Sequence, residues 1–336
     1  MVRPLMAFRP RRWRPPAAPR LVGGFAPNDR LAGAELWPTG GAGPEDVVLD
    51  AEGRLYAGLD DGRIIRFTPS VAGSSPSDPQ TIASTGGRPL GLELTVDGNL
   101  IICDAHKGLL RLPPGGSLET LADSFEGERF VFTNNASVGR DGTIYFTDSS
   151  RRYAVDKYKL DLLEHSGTGR LFKRSVDGRL ELLLDGLHFA NGVALGPDED
   201  FLLVVETASY SIQRLWLRGE RQGRSEPFAD NLPGFPDNLS FENGIFWVAI
   251  PSPRDGLLDA MLPRPWMRHV VARLPEPLQP KPKRHGFVLG YDTAGRVVHN
   301  LQDPSGRVAI VTGVREHGNR LYLGSLSESA VAVVDL

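Results

Sequence analysis

Five residues of this chain, Glu45, Asn134, Asn191, Asp237 and Asn238, offer side-chain oxygens and nothing softer. Such a set suits a hard cation. Calcium accepts about six to eight oxygens from carboxylates, amides and water, whereas zinc usually takes histidine or cysteine. Two carboxylates among three amides would balance the charge of one Ca²⁺. Spacing singles these residues out. Glu45, Leu90, Asn134 and Asn191 each stand eight residues before the second position of a recurring turn, at Gly53, Gly98, Gly142 and Glu199; Asp237, followed by Asn238, stands seven before Gly244. Asparagine begins a strand poorly, because its amide competes with the backbone for hydrogen bonds, so FTNNASV breaks a local rule. Ion binding explains the exception. For any one of these residues, capping a strand or holding water explains it equally well; the shared offset favours the ion for the set.

Other residues could serve the same site. Asp46 and Asn135, each beside a proposed ligand, point to a second, deeper ion or to hydrogen bonding between neighbouring units. His106, in LIICDAHKGLL, ends a strand and as a neutral imidazole could activate water or position a substrate; a plain loop histidine fits it as well. Asp237 is the second candidate for that proton transfer. Asp148 in YFTDSS is expected to bind backbone, and Glu206 in VVETASYS to wall a pocket. The other histidines lack metal-ligand spacing, and no GxSxG or phosphate-binding loop occurs, which argues against a serine-triad hydrolase and a nucleotide enzyme.

The elements that must position these groups are hairpins. Six copies occur: VVLDAEGRLYAGL, LELTVDGNLIICD, ASVGRDGTIYFTD, VALGPDEDFLLVVET, LSFENGIFWVAI and TGVREHGNRLYLGSL. An Asp-Gly-like turn between apolar strands is a strong hairpin signal. Several copies continue into a third strand such as KGLLRLPP, and the turns at Gly53, Gly98 and Gly142 recur at about 45 residues. That period predicts an all-β fold, a six-bladed β-propeller spanning residues 21–336, behind a basic, proline-rich arm at 1–20. A β-sandwich explains the hairpins but not their period. Two segments exceed the repeat, SSRRYAVDKYKLDLLEHSGTG and the longer stretch from PSPRDGLLDAML through RPWMRHVVARL to LQPKPKRHG, the second with helical pieces. Both follow a second strand, so both should cover the face where the first strands begin, with the five oxygen-bearing residues at the channel mouth beneath them.

Composition limits the partners. With 336 residues, 40% hydrophobic, 24% charged and a net charge of −3, the chain is of the soluble globular type and gives no reason to expect nucleic acid. The lone Cys103 cannot pair internally and lies in an apolar run that reads as core. Neither a signal-peptide apolar region nor a membrane-spanning window is expected, and a cytoplasmic location follows as the expectation. The basic segment LQPKPKRHGF is read as a solvated loop. Oligomeric state is not legible; a monomer is compatible with the pattern.

Several stretches carry a family resemblance: GPEDVVLD, FTDSS followed by GTGRL, FANGVAL, LPGFPDNLS, RPW and HGNRLYLGSL. Together they resemble the strictosidine synthase-like family over nearly the whole chain, and the RPW-containing insertion resembles its adipocyte plasma membrane-associated protein branch. The family is similar in turn to paraoxonases and gluconolactonases, all six-bladed propellers. The resemblance implies a calcium at the channel mouth held by Glu45, Asn134, Asn191, Asp237 and Asn238, and calcium-dependent hydrolysis of lactones or aryl esters as the activity. Asp46 and Asn135 match a second, structural calcium site of paraoxonases, with an amide replacing one carboxylate. Leu90 stands where paraoxonases place a histidine, which breaks their histidine pair. Thr312 stands where strictosidine synthase has its glutamate, against a Pictet–Spengler-type condensation. A non-catalytic propeller that binds a ligand above a structural metal remains the alternative.

Overall fold

The hairpin turns form where the chain supplies residues that tolerate positive φ. Gly98 and Gly142 sit at φ 81° and 83°, a region glycine enters without steric cost. The corresponding turn of the fourth repeat uses Glu199 at φ 56°, and the Glu199 carboxylate accepts from the backbone N–H of Arg140 in the neighbouring repeat at 2.9 Å. The computed structural model, which describes residues 8–69, 76 and 78–336, assembles these hairpins into six four-stranded antiparallel sheets. Their innermost strands are Val47–Leu49, Pro89–Leu94, Thr133–Val138, Ala190–Leu195, Leu239–Glu242 and Val311–His317, which define blades 1 to 6. The arrangement is a six-bladed β-propeller, as the repeat predicts.

Blade 6 is closed by a strand from the other end of the chain. Glu35–Pro38 pairs antiparallel with Ala330–Asp335, so the outermost strand of the last blade precedes the first blade in sequence. Hydrophobic burial lies between blades rather than inside them. Val47, Leu55 and Ile65 of blade 1 pack with Tyr322, Val331 and Val333 of blade 6, and Ile101 and Cys103 of blade 2 pack with Phe146 and Phe172 of blade 3. Because both faces of each sheet are covered, central strands such as Phe201–Glu206 are buried at every position, and their sequences run apolar instead of alternating. Cys103 is fully buried here, where desolvation pushes its thiol well above the usual range.

The two long segments cap one end of the ring. Helix α1, Tyr158–Glu164, lies in the blade 3 excursion; α2, Gly256–Met261, and α3, Pro265–Val271, lie in the blade 5 excursion. Asp255 caps α2 by accepting from the N–H groups of Leu257 and Leu258 at 2.9 and 3.0 Å, and α3 opens on Pro265, whose missing N–H costs nothing in a first turn. The caps are tied together by the N-terminal residues, which cross between them as a strap. Arg9 N–H donates to the Glu164 carboxylate, Arg11 N–H to the Glu164 carbonyl and Trp13 N–H to the Leu262 carbonyl. Arg268, fully buried, donates from α3 to the Leu163 carbonyl at 2.7 Å and to the Arg11 carbonyl, which satisfies carbonyls at the end of α1. Trp13 stacks on His165 with ring centroids 4.2 Å apart, and His165 stacks on His188 at 4.0 Å. Among the described residues no helix is long and apolar enough to cross a membrane.

Candidate metal centre and the pocket above it

The misplaced asparagines of FTNNASV sit in a β-bulge. Thr133 pairs with Asp148 and Ala136 with Phe146, so Asn134 and Asn135 together oppose the single residue Thr147. The same two-against-one step falls on Leu90 and Gly91, on Asn191 and Gly192, and on Thr312 and Gly313. A bulge releases its residues from the ladder and re-aims their side chains, which explains why strand propensity fails there. In blades 1 and 5 the inner ladder starts only after Asp46 and Asn238. The residue after the first ring position is Asp46, Asn135 or Asn238 in blades 1, 3 and 5, and glycine in blades 2, 4 and 6. The alternation has a steric reason: a Cβ at Gly313 would meet Asp46 Oδ1 at 2.6 Å, one at Gly91 would meet Asn135 Nδ2 at 2.7 Å, and one at Gly192 would meet the Asn238 Cα at 2.7 Å.

The bulges of blades 3 and 4 and the segments just before the inner strands of blades 1 and 5 bring Asn134, Asn191, Glu45 and Asp237 to the floor of one cavity of about 160 Å³. Asn238, behind them, donates its amide to Glu45 Oε1 and Oε2 at 3.1 and 3.2 Å. The other two amide groups are also held from behind: Asn134 Nδ2 donates to Ser149 Oγ at 2.9 Å and Asn191 Nδ2 to Thr207 Oγ1 at 3.1 Å, while both hydroxyls donate onward to backbone carbonyls at 2.7 Å. With the NH₂ groups so fixed, Oδ1 of Asn134, Asn191, Asp237 and Asn238 is in each case buried and has no hydrogen-bond partner among the described residues. Four unpartnered acceptors at the starts of the inner strands would each cost about 1–3 kcal/mol without a cation or water to satisfy them.

The charge at this floor favours a cation. Glu45, only 3% exposed, is pushed well above the usual carboxylate range by burial and by the negative charges of Asp237 and Asp46, with Arg88 opposing. Asp237, which keeps partial exposure to the cavity, is pushed up to about 8, chiefly by burial. Both shifts come chiefly from burial, to which the neighbouring carboxylates add. Among the described residues no group of three or more His, Cys, Asp and Glu side chains is disposed to hold a metal, so the donor set is two carboxylates with three amides, all oxygen. It fits a hard cation and not a soft one.

One residue deeper the chemistry changes. Asp46 Oδ1 accepts from Val47 N–H at 2.9 Å, and its Oδ2 accepts from Leu92 N–H at 3.2 Å and from Asn135 Nδ2 at 3.3 Å. Asn135 Oδ1 accepts from Val193 N–H at 3.1 Å. Arg315, from the inner strand of blade 6, stands 3.8 Å from Asp46, pairs with Glu93 at 3.0 Å and donates to the Leu92 carbonyl. Hydrogen bonding between blades, the alternative to a deeper ion, accounts for Asp46 and Asn135. Arg315 escaped sequence reasoning because it lies beyond the ring offset, and only ring closure brings it to Asp46.

The remaining candidates are distributed around this floor. Asp148 is fully buried; it accepts from the N–H groups of Val131 and Phe132 and from Arg170 at 2.6 Å. Glu206 accepts from His188 N–H and Gln213 Nε2, outside the cavity lining. His106 occupies an exposed turn, where its N–H donates to Asp104 Oδ1 at 2.9 Å, and it is not among the residues lining the cavity. Thr312 donates its hydroxyl to the Glu45 carbonyl at 2.7 Å and fixes the backbone under that side chain. The cavity walls are apolar, with Leu90, Phe132, Phe189, Phe235 and Ile310 from the blades and Val155, Leu162 and Leu258 from the caps. Both excursions therefore cover the face where the inner strands begin.

Comparison with known proteins follows the same outline. The strictosidine synthase profile matches residues 134–220 and the strictosidine synthase-like N-terminal profile residues 23–67. The chain is 34% identical to the adipocyte plasma membrane-associated protein of Rattus norvegicus, over 95% of this chain and 90% of that protein. It is 35% identical to a strictosidine synthase-like protein of Arabidopsis thaliana, over 87% of this chain and 77% of the other. Among solved structures, a gluconolactonase from Xanthomonas campestris superposes with a TM-score of 0.66 at 18% identity, covering 100% of this chain and 99% of that one. A calcium-binding protein, regucalcin, from Agrobacterium tumefaciens superposes with a TM-score of 0.59 at 16% identity, covering 88% and 90%. At those identities the structural likeness speaks for the fold.

Proposed function

We propose, from the premise that the chain belongs to the strictosidine synthase-like family, that it is a calcium-dependent hydrolase of lactones or aryl esters. The observation that carries this reading is the set of three buried side-chain oxygens, Oδ1 of Asn134, Asn191 and Asp237, left unpartnered beside Glu45 at the floor of an apolar cavity, with that of Asn238 behind them. Glu45, Asn134, Asn191, Asp237 and Asn238 would hold the ion. When bound there, calcium would supply Lewis acidity to a substrate carbonyl oxygen. The gluconolactonase and regucalcin likenesses agree with a lactone-type substrate and with calcium, as the names of those proteins say.

The chain's own residues divide the remaining work. Leu90, Phe132, Phe189 and Phe235 bury the apolar part of the substrate and keep bulk water from the carbonyl. Asp237, partly open to the cavity, accepts a proton from the attacking water as its oxygen bonds to the carbonyl carbon; the carbon–oxygen bond to the alcohol or phenol then breaks, and the proton passes to that leaving oxygen. Ser149 and Thr207 position Asn134 and Asn191 by fixing which way each amide faces. His106 takes no part in this scheme, since it is exposed away from the cavity.

The second reading, a non-catalytic binder with a structural metal, draws on the lack of any histidine among the described residues that line the cavity. Hydrolysis of a lactone panel and of phenyl acetate, measured before chelation, after EDTA and after calcium is returned, separates the two. Activity lost and restored supports the hydrolase. No turnover in any state gives the floor to the binder.

A further inference from the structure

The hydrolase reading leaves the top of the cavity without a task. Its floor is charge-balanced once a divalent cation joins Glu45 and Asp237, and its walls are apolar, so neither distinguishes a neutral ester from an anionic one. The mouth differs. Lys159 of α1 and Lys281 and Lys283 of the segment after α3 line it together with Asp255. Lys283 is committed to Asp255, with nitrogen and oxygen 3.6 Å apart. Among the described residues no carboxylate stands within ion-pair distance of Lys159 or Lys281. The basic stretch LQPKPKRHGF, which in sequence reads as a solvated loop, is thus part of the pocket's rim.

We propose that Lys159 and Lys281 select substrates bearing an anionic group at the end remote from the scissile carbonyl, so that the preferred class is an amphiphilic, acid-tailed ester or lactone. The inference rests on the hydrolase reading and deepens it. The two lysines come from the two caps, and an anion drawn between them would bridge α1 and the Lys281 segment over the bound acyl or aryl body. Their prolines hold that segment extended: Lys281 is flanked by Pro280 and Pro282, which also line the cavity and restrict its backbone. Because the charge lies far from the reacting bond, it acts equally on ground state and transition state and appears in KM rather than kcat.

The test uses calcium-loaded full-length protein and monophenyl glutarate against its terminal amide, which share leaving group and length and differ in one charge. The acid should be preferred by about fivefold to tenfold in kcat/KM at low salt, two partly exposed ion pairs being worth that much, and the preference should shrink as salt is raised. The Lys159→Ala/Lys281→Ala double variant should bring the ratio of acid to amide close to one, and Lys281→Glu should invert it. A wild-type protein without the preference, or a preference that survives the double variant, overturns the assignment while leaving the hydrolase standing. If neither ester is hydrolysed the hydrolase reading fails instead. Calorimetric binding of glutaranilic acid against its terminal amide then decides: a salt-sensitive preference lost in the double variant upholds the lysine pair, and equal binding ends it.

Discussion

Two polar rings share the channel, one residue apart in sequence, and they are finished differently. In the upper ring the NH₂ groups of Asn134 and Asn191 are anchored and their oxygens, with Oδ1 of Asp237, are left over; Asn238, one residue deeper, gives its amide to Glu45 and likewise leaves Oδ1 over. In the lower ring Asp46 gives one oxygen to the N–H of Val47 in its own blade and the other to that of Leu92 in the next, Asn135 gives its oxygen to the N–H of Val193 in the next blade, and Arg315 supplies the positive charge. Residue types alone are nearly the same. What separates a ligand set from an internal brace is whether donors from the next blade reach the acceptor. The upper ring leaves acceptors over; Asp46 and Asn135 of the lower one have their donors already.

The largest test of that contrast is Asp237→Ala. Removing one of two carboxylates from the upper ring should weaken calcium binding by at least about two orders of magnitude and abolish hydrolysis, since ligand charge sets affinity at such sites. Undiminished calcium affinity by calorimetry would remove the proposed centre. Arg315→Ala attacks the lower ring. It leaves Asp46 buried beside Glu93 without its counter-charge and should cost about 3 kcal/mol in denaturant unfolding, with calcium stoichiometry at the upper ring still readable on the folded protein. A loss below measurement error would mean that Arg315 does not brace that ring.

Acidity sharpens the comparison further. Asp237 is held near 8 and Glu45 well above the usual range, so protonation of these two favours the fold: the stabilisation is full below the unfolded carboxylate value of about 4 and is lost as pH rises through about 8. EDTA-treated protein should therefore melt progressively lower between pH 5 and about 8, and added calcium should reverse the trend, because the ion binds the deprotonated pair. A melting temperature rising with pH after EDTA would contradict the assignment of a charge-starved floor. The smallest effect is expected away from both rings. Trp13→Ala removes the ring that stacks on His165 and should cost about 1 kcal/mol of stability while keeping the calcium stoichiometry, as read by thermal melting and calorimetry. A change in stoichiometry would show that the strap, not the bulges, shapes the centre.

Some of this was readable one residue at a time. The propeller was legible because a hairpin is a local object: Gly98 and Gly142 set their turns through backbone sterics, and the apolar strands on either side need no distant information to be recognised. The ring offset was legible for the same reason, since a residue that sits seven or eight residues before its own turn inherits nearly the same height in the channel. The poor strand start at Asn134 and Asn135 was legible as an exception to strand propensity, but that it is a bulge came only from the pairing of Thr133 with Asp148 and of Ala136 with Phe146, which sets both asparagines against Thr147. Tertiary structure alone decided which oxygens remain free, because their competitors, the N–H groups of Leu92 and Val193 and the guanidinium of Arg315, come from other blades. It also decided that Glu35–Pro38 closes blade 6, that the strap joins the two caps, and that His106 stays outside the cavity while Lys281 stands at its rim. Each of these depends on how six locally specified sheets rotate against one another when the ring closes, a quantity set by packing between blades and carried by no single stretch of sequence.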